Sequence, residues 1–218
     1  MTKTIVQLAT LALLTAPLAA QKPAHSSSAG ASAPRQTAVF AGGCFWGIQN
    51  VFEHVRGVTQ VTSGYAGGHT ETADYETVSS GATGHAESVR VVFDPSVVSY
   101  ETLLKVFFTV AHDPTQLNRQ GPDVGTQYRS AVFFANESQR HTAQAVIDSL
   151  SRAKTWPGRI VTEVVPLGGF FVAEAYHQDY AIEHPLNPYI YINDRPKVIH
   201  LRDRWPDLFQ SQPVRYAP

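Results

Sequence analysis

The chain has 218 residues, 43% of them hydrophobic, with 17 Lys and Arg against 18 Asp and Glu for a formal net charge of -1. That length suits one domain with its own core, and the near-neutral balance excludes the basic footprint of a nucleic-acid or anionic-membrane binder. A single cysteine, Cys44, excludes an internal disulfide.

The first twenty residues, MTKTIVQLATLALLTAPLAA, run from a basic start at Lys3 through an apolar stretch into small residues, the pattern of a secretion signal. The apolar run is shorter than the ~20 residues of a spanning helix and is broken by Gln7, Thr10, Thr15 and Pro17. Residues 21–36, QKPAHSSSAGASAPRQ, hold too few bulky apolar side chains to offset chain entropy and read as a disordered linker. The expected location is therefore secreted or periplasmic, with no membrane contact beyond the signal and one catalytic domain over 37–218.

TAVFA (37–41) is a short apolar strand stopped by Gly42 and Gly43. Phe45, Ile48, Phe52 and Val55 then recur at helical spacing, and Gly57 ends the run. Alternation predicts strands over 58–65 and 85–94, separated by a long Gly/Thr-rich loop of the kind that is functional or mobile in compact domains. A helix begins after an N-cap at Ser99, and a second polar, irregular stretch follows, DPTQLNRQGPDVGTQYRS. AVFFA (131–135) is a strand, a helix capped by Asn136 with Gln139 three residues on comes next, and RIVTEVVP (159–166) is a further strand. Two strand-helix-strand units in succession predict an α/β (α+β) fold, a two-layer sandwich with a mixed sheet and a ferredoxin-like split βαβ core. The segment from about 186, rich in Pro, Arg and aromatics, is expected to be irregular, with at most a short helix, and to wrap the surface.

Cys44 thus falls where a strand turns into the first turn of a helix. An unpaired thiol in an oxidising compartment is either buried and inert or the centre of the chemistry. Open backbone N–H groups and the helix dipole favour a thiolate there, so its pKa is expected below the ~8.5 of free cysteine. Phe45 and Trp46 offer an apolar wall beside the sulfur. On pattern alone Glu87, alternating with apolar residues, reads as a solvent-facing carboxylate. The histidines show no metal-like spacing, and neither a metal nor a bound cofactor is expected.

The motifs GGCFWG, GYAGG, GHAESVRVVFDP, HDPTQLNRQGPDVGTQYRS and EAYHQDY, in this order between about 37 and 187, resemble those of the A-type peptide methionine sulfoxide reductases. The resemblance implies that Cys44 is the nucleophile and Glu87 the acid. It implies that Tyr75, Asp123 and Tyr128 are polar pocket residues, and that Phe45 and Trp46 hold the substrate's methyl group. A sulfoxide oxygen leaves poorly unless protonated, so thiolate attack on sulfur calls for an acid still protonated near neutral pH, which a desolvated carboxyl supplies. Attack by Cys44 with oxygen transfer gives a sulfenic acid and methionine, by resemblance from the S epimer. The implied substrates are oxidised proteins or peptides and free methionine sulfoxide.

Many members of that family carry further cysteines in a glycine-rich C-terminal tail. This chain has NPYIYIND there, with Tyr189, Ile190 and Tyr191. Regeneration then calls for an external thiol reductant, a thioredoxin-like protein or a small thiol. The chain is read as a monomer. Two readings compete: a cysteine hydrolase or acyltransferase pairing Cys44 with His85 or His177, and a non-catalytic module that binds peptides through its aromatic surface.

Overall fold

The computed structural model describes residues 1–2 and 34–218. The expected secretion signal and most of the expected linker lie outside the described residues.

Strand β1 (Gln36–Gly42) passes through Gly43 and Cys44 into helix α1 (Phe45–Glu53), and strand β2 (Val58–Ala66) returns. A 3-10 turn (Thr70–Thr72) and the short helix α2 (Tyr75–Ser79) occupy the first long loop before β3 (Ala86–Phe93). Helix α3 (Tyr100–Val106) widens into a π turn (Phe107–Ala111), and the second loop holds a two-residue hairpin, β4 (Arg119–Gln120) with β5 (Asp123–Val124). Strand β6 (Ser130–Phe134), helix α4 (Glu137–Arg152), β7 (Glu163–Pro166) and β8 (Phe170–Val172) follow. The chain ends in α5 (Tyr180–Glu183), a π turn (Ile190–Asp194) and α6 (Arg195–Arg204).

One six-stranded sheet runs β7-β6-β1-β3-β2-β8. Its middle four strands, β6-β1-β3-β2, are antiparallel neighbours, which is the split βαβ arrangement the sequence predicts. Strand β7 adds parallel to β6, making the sheet mixed. Alternation along β1 sends Ala38 and Phe40 to the main core, with Ile48, Phe52 and Phe107, while Val39 and Ala41 join a smaller cluster on the opposite face. Phe40 stacks on Phe107 at 4.9 Å and on Phe52 at 5.4 Å, so α1 and α3 close over the same strand.

Local chemistry explains where the helices start. Ser99 Oγ accepts from the Thr102 amide at 3.1 Å, Asn136 Oδ1 from the Gln139 amide at 3.0 Å, and Asp74 Oδ1 from the Thr77 amide at 3.0 Å. The Gln139 side chain reaches back to the Ala135 amide at 2.9 Å, one residue before the cap.

The C-terminal segment is more regular than its composition suggests. The π turn and α6 form a continuous helical stretch that buries Ile190, Asp194 and Leu201. Pro196 sits in the first turn of α6, where its missing N–H has no helical partner to lose. The residues after α6 return to the end of α1: Val55 pairs with Phe209 in an isolated bridge, and the Val214 amide donates to the Glu53 carbonyl at 3.0 Å. The strand expected over 159–166 starts only at Glu163. No helix among the described residues is long and apolar enough to cross a membrane.

Candidate active site

The turn from β1 into α1 fixes the position of Cys44. Gly43 takes φ +101°, which a side chain would strain, and a Cβ there would lie 2.5 Å from the Cβ of Gln120. Cys44 is the N-cap of α1 and its side chain makes no capping bond. The first amide of the helix is occupied differently: Phe45 N–H donates to Glu87 Oε2 at 3.1 Å. Strand register explains the meeting, since Ala41 pairs with Ser88 and Tyr65 with Glu87, which sets Glu87 level with the turn. Far from facing solvent, Glu87 is 2% exposed.

This burial governs the charge state. Desolvation raises the Glu87 carboxyl to about 8, although the Phe45 amide stabilises its carboxylate; the Asp123 charge adds to the rise. Glu87 therefore holds a proton at neutral pH. The Cys44 thiol is also pushed well above the ordinary cysteine value, by burial first, then by the carboxyl groups of Glu87 and Asp194, with only the Trp46 amide pulling the other way. The expectation of a lowered thiol pKa is thus overturned. One helix-terminal N–H is outweighed by desolvation and three nearby acidic groups, and the amide best placed to help is spent on Glu87.

The polar residues implied by the resemblance come together here from separate loops. Tyr75 opens α2, and its amide donates to Glu174 Oε1 at 2.9 Å. Its phenol is raised by burial and by the nearby Glu87 and Cys44. Tyr128 is raised by burial and by Glu87 and Asp123, so both phenols remain hydrogen-bond donors. The Tyr189 hydroxyl donates to Asp123 Oδ2. Phe45 is 1% exposed and forms a floor against His177 and Tyr65. Trp46 is the partly open ring of the pair, stacked on Tyr180 at 3.9 Å and edge-on to Tyr189.

Of the histidines proposed for hydrolase chemistry, His85 is held at both ring nitrogens, while His177 is bonded at Nδ1 only and its buried Nε2 has no hydrogen-bond partner. His85 accepts from the Gly68 amide at one ring nitrogen and meets the His69 carbonyl at the other. His177 Nδ1 accepts from Trp46 Nε1 at 3.2 Å, and burial lowers the ring's pKa while Glu174 pulls it up.

Residues 36–208 match the family model for peptide methionine sulfoxide reductase. The chain belongs to the peptide methionine sulfoxide reductase family. It is 54% identical over 179 residues to peptide methionine sulfoxide reductase MsrA 2 of Mesorhizobium japonicum, covering 82% of this chain and 92% of that one. It is 50% identical over 177 residues to the protein of the same name from Synechocystis, covering 81% and 83%. Among solved structures, methionine sulfoxide reductase A of Corynebacterium diphtheriae superposes with a TM-score of 0.66 at 37% identity, over 70% of this chain and 76% of that one. The reduced form of Saccharomyces cerevisiae Mxr1 gives 0.65 at 30% identity, over 70% and 87%. The chain is accordingly an oxidoreductase that reduces methionine sulfoxide.

Within this reductase the sequence reading left several residues near Cys44 without a site role. Tyr189, part of the NPYIYIND segment, donates to Asp123. Glu174 accepts from both the Tyr65 hydroxyl at 2.8 Å and the Tyr75 amide, and so joins β2 to α2. His177 lies among the rings of Phe45, Trp46 and Tyr75 and links three predicted site residues. Both belong to EAYHQDY, a motif visible in the sequence whose role depends on folding back across about a hundred residues. Asp194 and Lys197, an ion pair at 3.1 Å, gave no local signal.

Proposed function

We propose that Cys44 attacks the sulfur of a methionine S-sulfoxide while Glu87 delivers a proton to the departing oxygen. As the bond between the two sulfurs forms, Glu87 protonates the sulfoxide oxygen and its carboxylate takes up the Cys44 thiol proton; the hydroxyl then passes from the substrate sulfur to the Cys44 sulfur as the sulfur–sulfur bond breaks and one electron pair returns to the methionine sulfur. The products are methionine and a sulfenic acid on Cys44, with every atom accounted for. The observation that carries this reading is a carboxyl group hydrogen-bonded to the residue after the nucleophile and protonated up to about pH 8. A nucleophile and acid that both rest protonated react with a neutral sulfoxide without burying a net charge.

In this reading Tyr75 and Tyr128 donate to the sulfoxide oxygen, Asp123 holds Tyr189 over the site, and Trp46 receives the methyl group above the Phe45 floor. One apolar wall facing one polar side selects a single epimer. With no second cysteine in the chain, an external thiol, from a thioredoxin-like protein or a small molecule, returns the enzyme to its reduced state. The substrates are oxidised methionine in proteins or peptides and free methionine sulfoxide, the enzyme acts as a monomer, and the first twenty residues support export from the cytoplasm.

The test is a single turnover without reductant, using each epimer in a blocked peptide. The expected result is about one methionine per enzyme from the S epimer only, one oxygen gained on Cys44 by intact mass, and nothing from Cys44→Ser. Glu87→Gln should slow the step about 100-fold or more with little loss of binding. An unaltered rate in that variant overturns the acid assignment.

A further inference from the structure

The oxygen-transfer reading leaves unused a small cavity that reaches Cys44 and holds about 110 Å³. Its walls include Gln120, Gly121, Tyr189, Asn193 and Lys197, and none of Phe45, Trp46, Tyr75 or Glu87. The volume is well under the ~300 Å³ at which small-molecule pockets begin. It admits the tip of one side chain or a few waters, at about 30 Å³ each.

Lys197 is the charged group on that wall, and it is held there with care. Its ammonium lies 3.1 Å from Asp194 Oδ1, with the Lys197 side chain 18% exposed and that of Asp194 0% exposed. The other oxygen, Asp194 Oδ2, is buried without a hydrogen-bond partner, an arrangement that costs stability on its own account. The pair rests directly on the first turn of α1. A Cβ on Gly47 would come within 2.0 Å of Asp194 Oδ1 and 2.8 Å of Lys197 Nζ. An ammonium, a buried carboxylate with one unsatisfied oxygen and a missing side chain therefore converge one helical turn from the sulfur, beside a small opening that reaches Cys44 without touching Phe45 or Trp46.

We infer that this cavity is the approach route of the external thiol to oxidised Cys44, and that the Lys197 ammonium, positioned by Asp194, serves that second half-reaction. The inference rests on the sulfenic acid proposed above. A thiolate entering past Lys197 attacks Cys44 Sγ. The new sulfur–sulfur bond forms as the sulfur–oxygen bond breaks, and the departing hydroxide, stabilised by the ammonium, becomes water with a solvent proton. The incoming sulfur is oxidised and the Cys44 sulfur reduced. A second thiol then cleaves the mixed disulfide, so that two thiols yield one disulfide, one water and the Cys44 thiol. Lys197 gathers the anionic nucleophile and offsets the negative charge that develops on the leaving oxygen, where Asp194 would otherwise repel it.

The experiment separates the two half-reactions in the full chain, with 2-mercaptoethanol as the thiol probe. Oxygen transfer is read as methionine released without reductant, and resolution as the loss of the Cys44 sulfenic acid after the thiol is added. Lys197→Met is expected to slow resolution at least tenfold more than oxygen transfer. Lys197→Arg, which keeps the charge, should recover most of that difference at neutral pH. If Lys197→Met does not fold, Lys197→Gln carries the same comparison. Equal slowing of both half-reactions, no effect on resolution, or no recovery by arginine overturns the proposal. Absence of a sulfenic acid in the unaltered enzyme after one turnover would instead overturn the reaction on which it rests, and the first measurement reads that outcome separately.

Discussion

At the scale of single residues, Cys44 and Glu87 show how burial sets chemistry. A lone cysteine at a helix start looks activated when only its own helix is considered. Here Cys44 is 9% exposed and shares its surroundings with acidic groups that raise the thiol. A thiol protonated at rest is a poor target for stray oxidants, and it becomes a nucleophile when a polarised sulfoxide draws the proton of Glu87. Alkylation of Cys44 is therefore expected to show a pH midpoint above the ~8.5 of free cysteine. The carboxylate of Glu87, formed near pH 8, is one cause of that rise, so Glu87→Gln should move the midpoint down. A midpoint at or below the free-cysteine value in the unaltered enzyme would contradict the assigned environment.

At the scale of elements, the β1–α1 turn couples the nucleophile to the long loop that follows α3. Gln120 packs against Gly43, while its side-chain amide makes a reciprocal pair with the Asp113 backbone at 3.1 and 3.0 Å. Behind it, buried His112 lies between the Phe107 carbonyl at 2.9 Å and Ser130 Oγ at 2.7 Å. The loop that carries Asp123 and Tyr128 is thus braced on the turn that carries Cys44. Gly43→Ala is expected to cost about 2–4 kcal/mol, combining positive-φ strain with displacement of Gln120, and to slow oxygen transfer. Gly121→Ala makes a contrast. Its φ of +57° is strained in the same sense, but a Cβ there meets nothing within 4 Å, so the cost should stay near 1 kcal/mol. Thermal unfolding and single-turnover rates of the two variants check this ordering, and equal losses would remove the bracing role of Gln120.

At the scale of the whole molecule, two buried titratable groups act on stability in opposite directions. Burial lowers His112 to about 4, with the Phe107 carbonyl pulling up. A histidine whose folded pKa is depressed contributes stability above its unfolded value near 6.5, and that contribution is lost as pH falls toward 4. Glu87, raised to about 8, contributes below its unfolded value near 4.5 and loses that contribution as pH rises toward 8. Between about 4.5 and 6.5 the two slopes oppose each other, and above 6.5 only the loss from Glu87 remains of this pair. Glu87→Gln should therefore unfold at a higher temperature than the unaltered enzyme at pH 8, by a few kcal/mol in stability, with the gap closing toward pH 5. A constant gap across that range would mean that Glu87 is not protonated in the fold. A site that gains stability when its acid is removed is the usual sign of function maintained against stability.

Much of the frame was legible along the chain because it depends on near neighbours. A short apolar run stopped by Gly42 and Gly43 set β1, alternation set β2 and β3, the caps at Ser99 and Asn136 set α3 and α4, and two strand-helix-strand units set the order of the central strands. Tyr75 and Tyr128 were placed on loops, and the structure adds short helical turns at each, closed by local hydrogen bonds too brief to leave a periodic pattern. The helix α6 was hidden by its Pro and Arg content. Its apolar positions make sense only against α1, and Asp194 is buried there by tertiary packing.

What the sequence by itself determined is the family, the split βαβ order, the isolation of Cys44 and the residue types available for sulfoxide chemistry. These follow from motifs and short-range periodicity, which the chain carries whether folded or not. Tertiary structure alone decided the protonation of Cys44 and Glu87, the bond between Tyr189 and Asp123, and the seating of Asp194 and Lys197 over Gly47. Each of these depends on desolvation and on contacts between residues far apart in sequence, and the free energy of a charge is set by what surrounds it rather than by what precedes it in the chain.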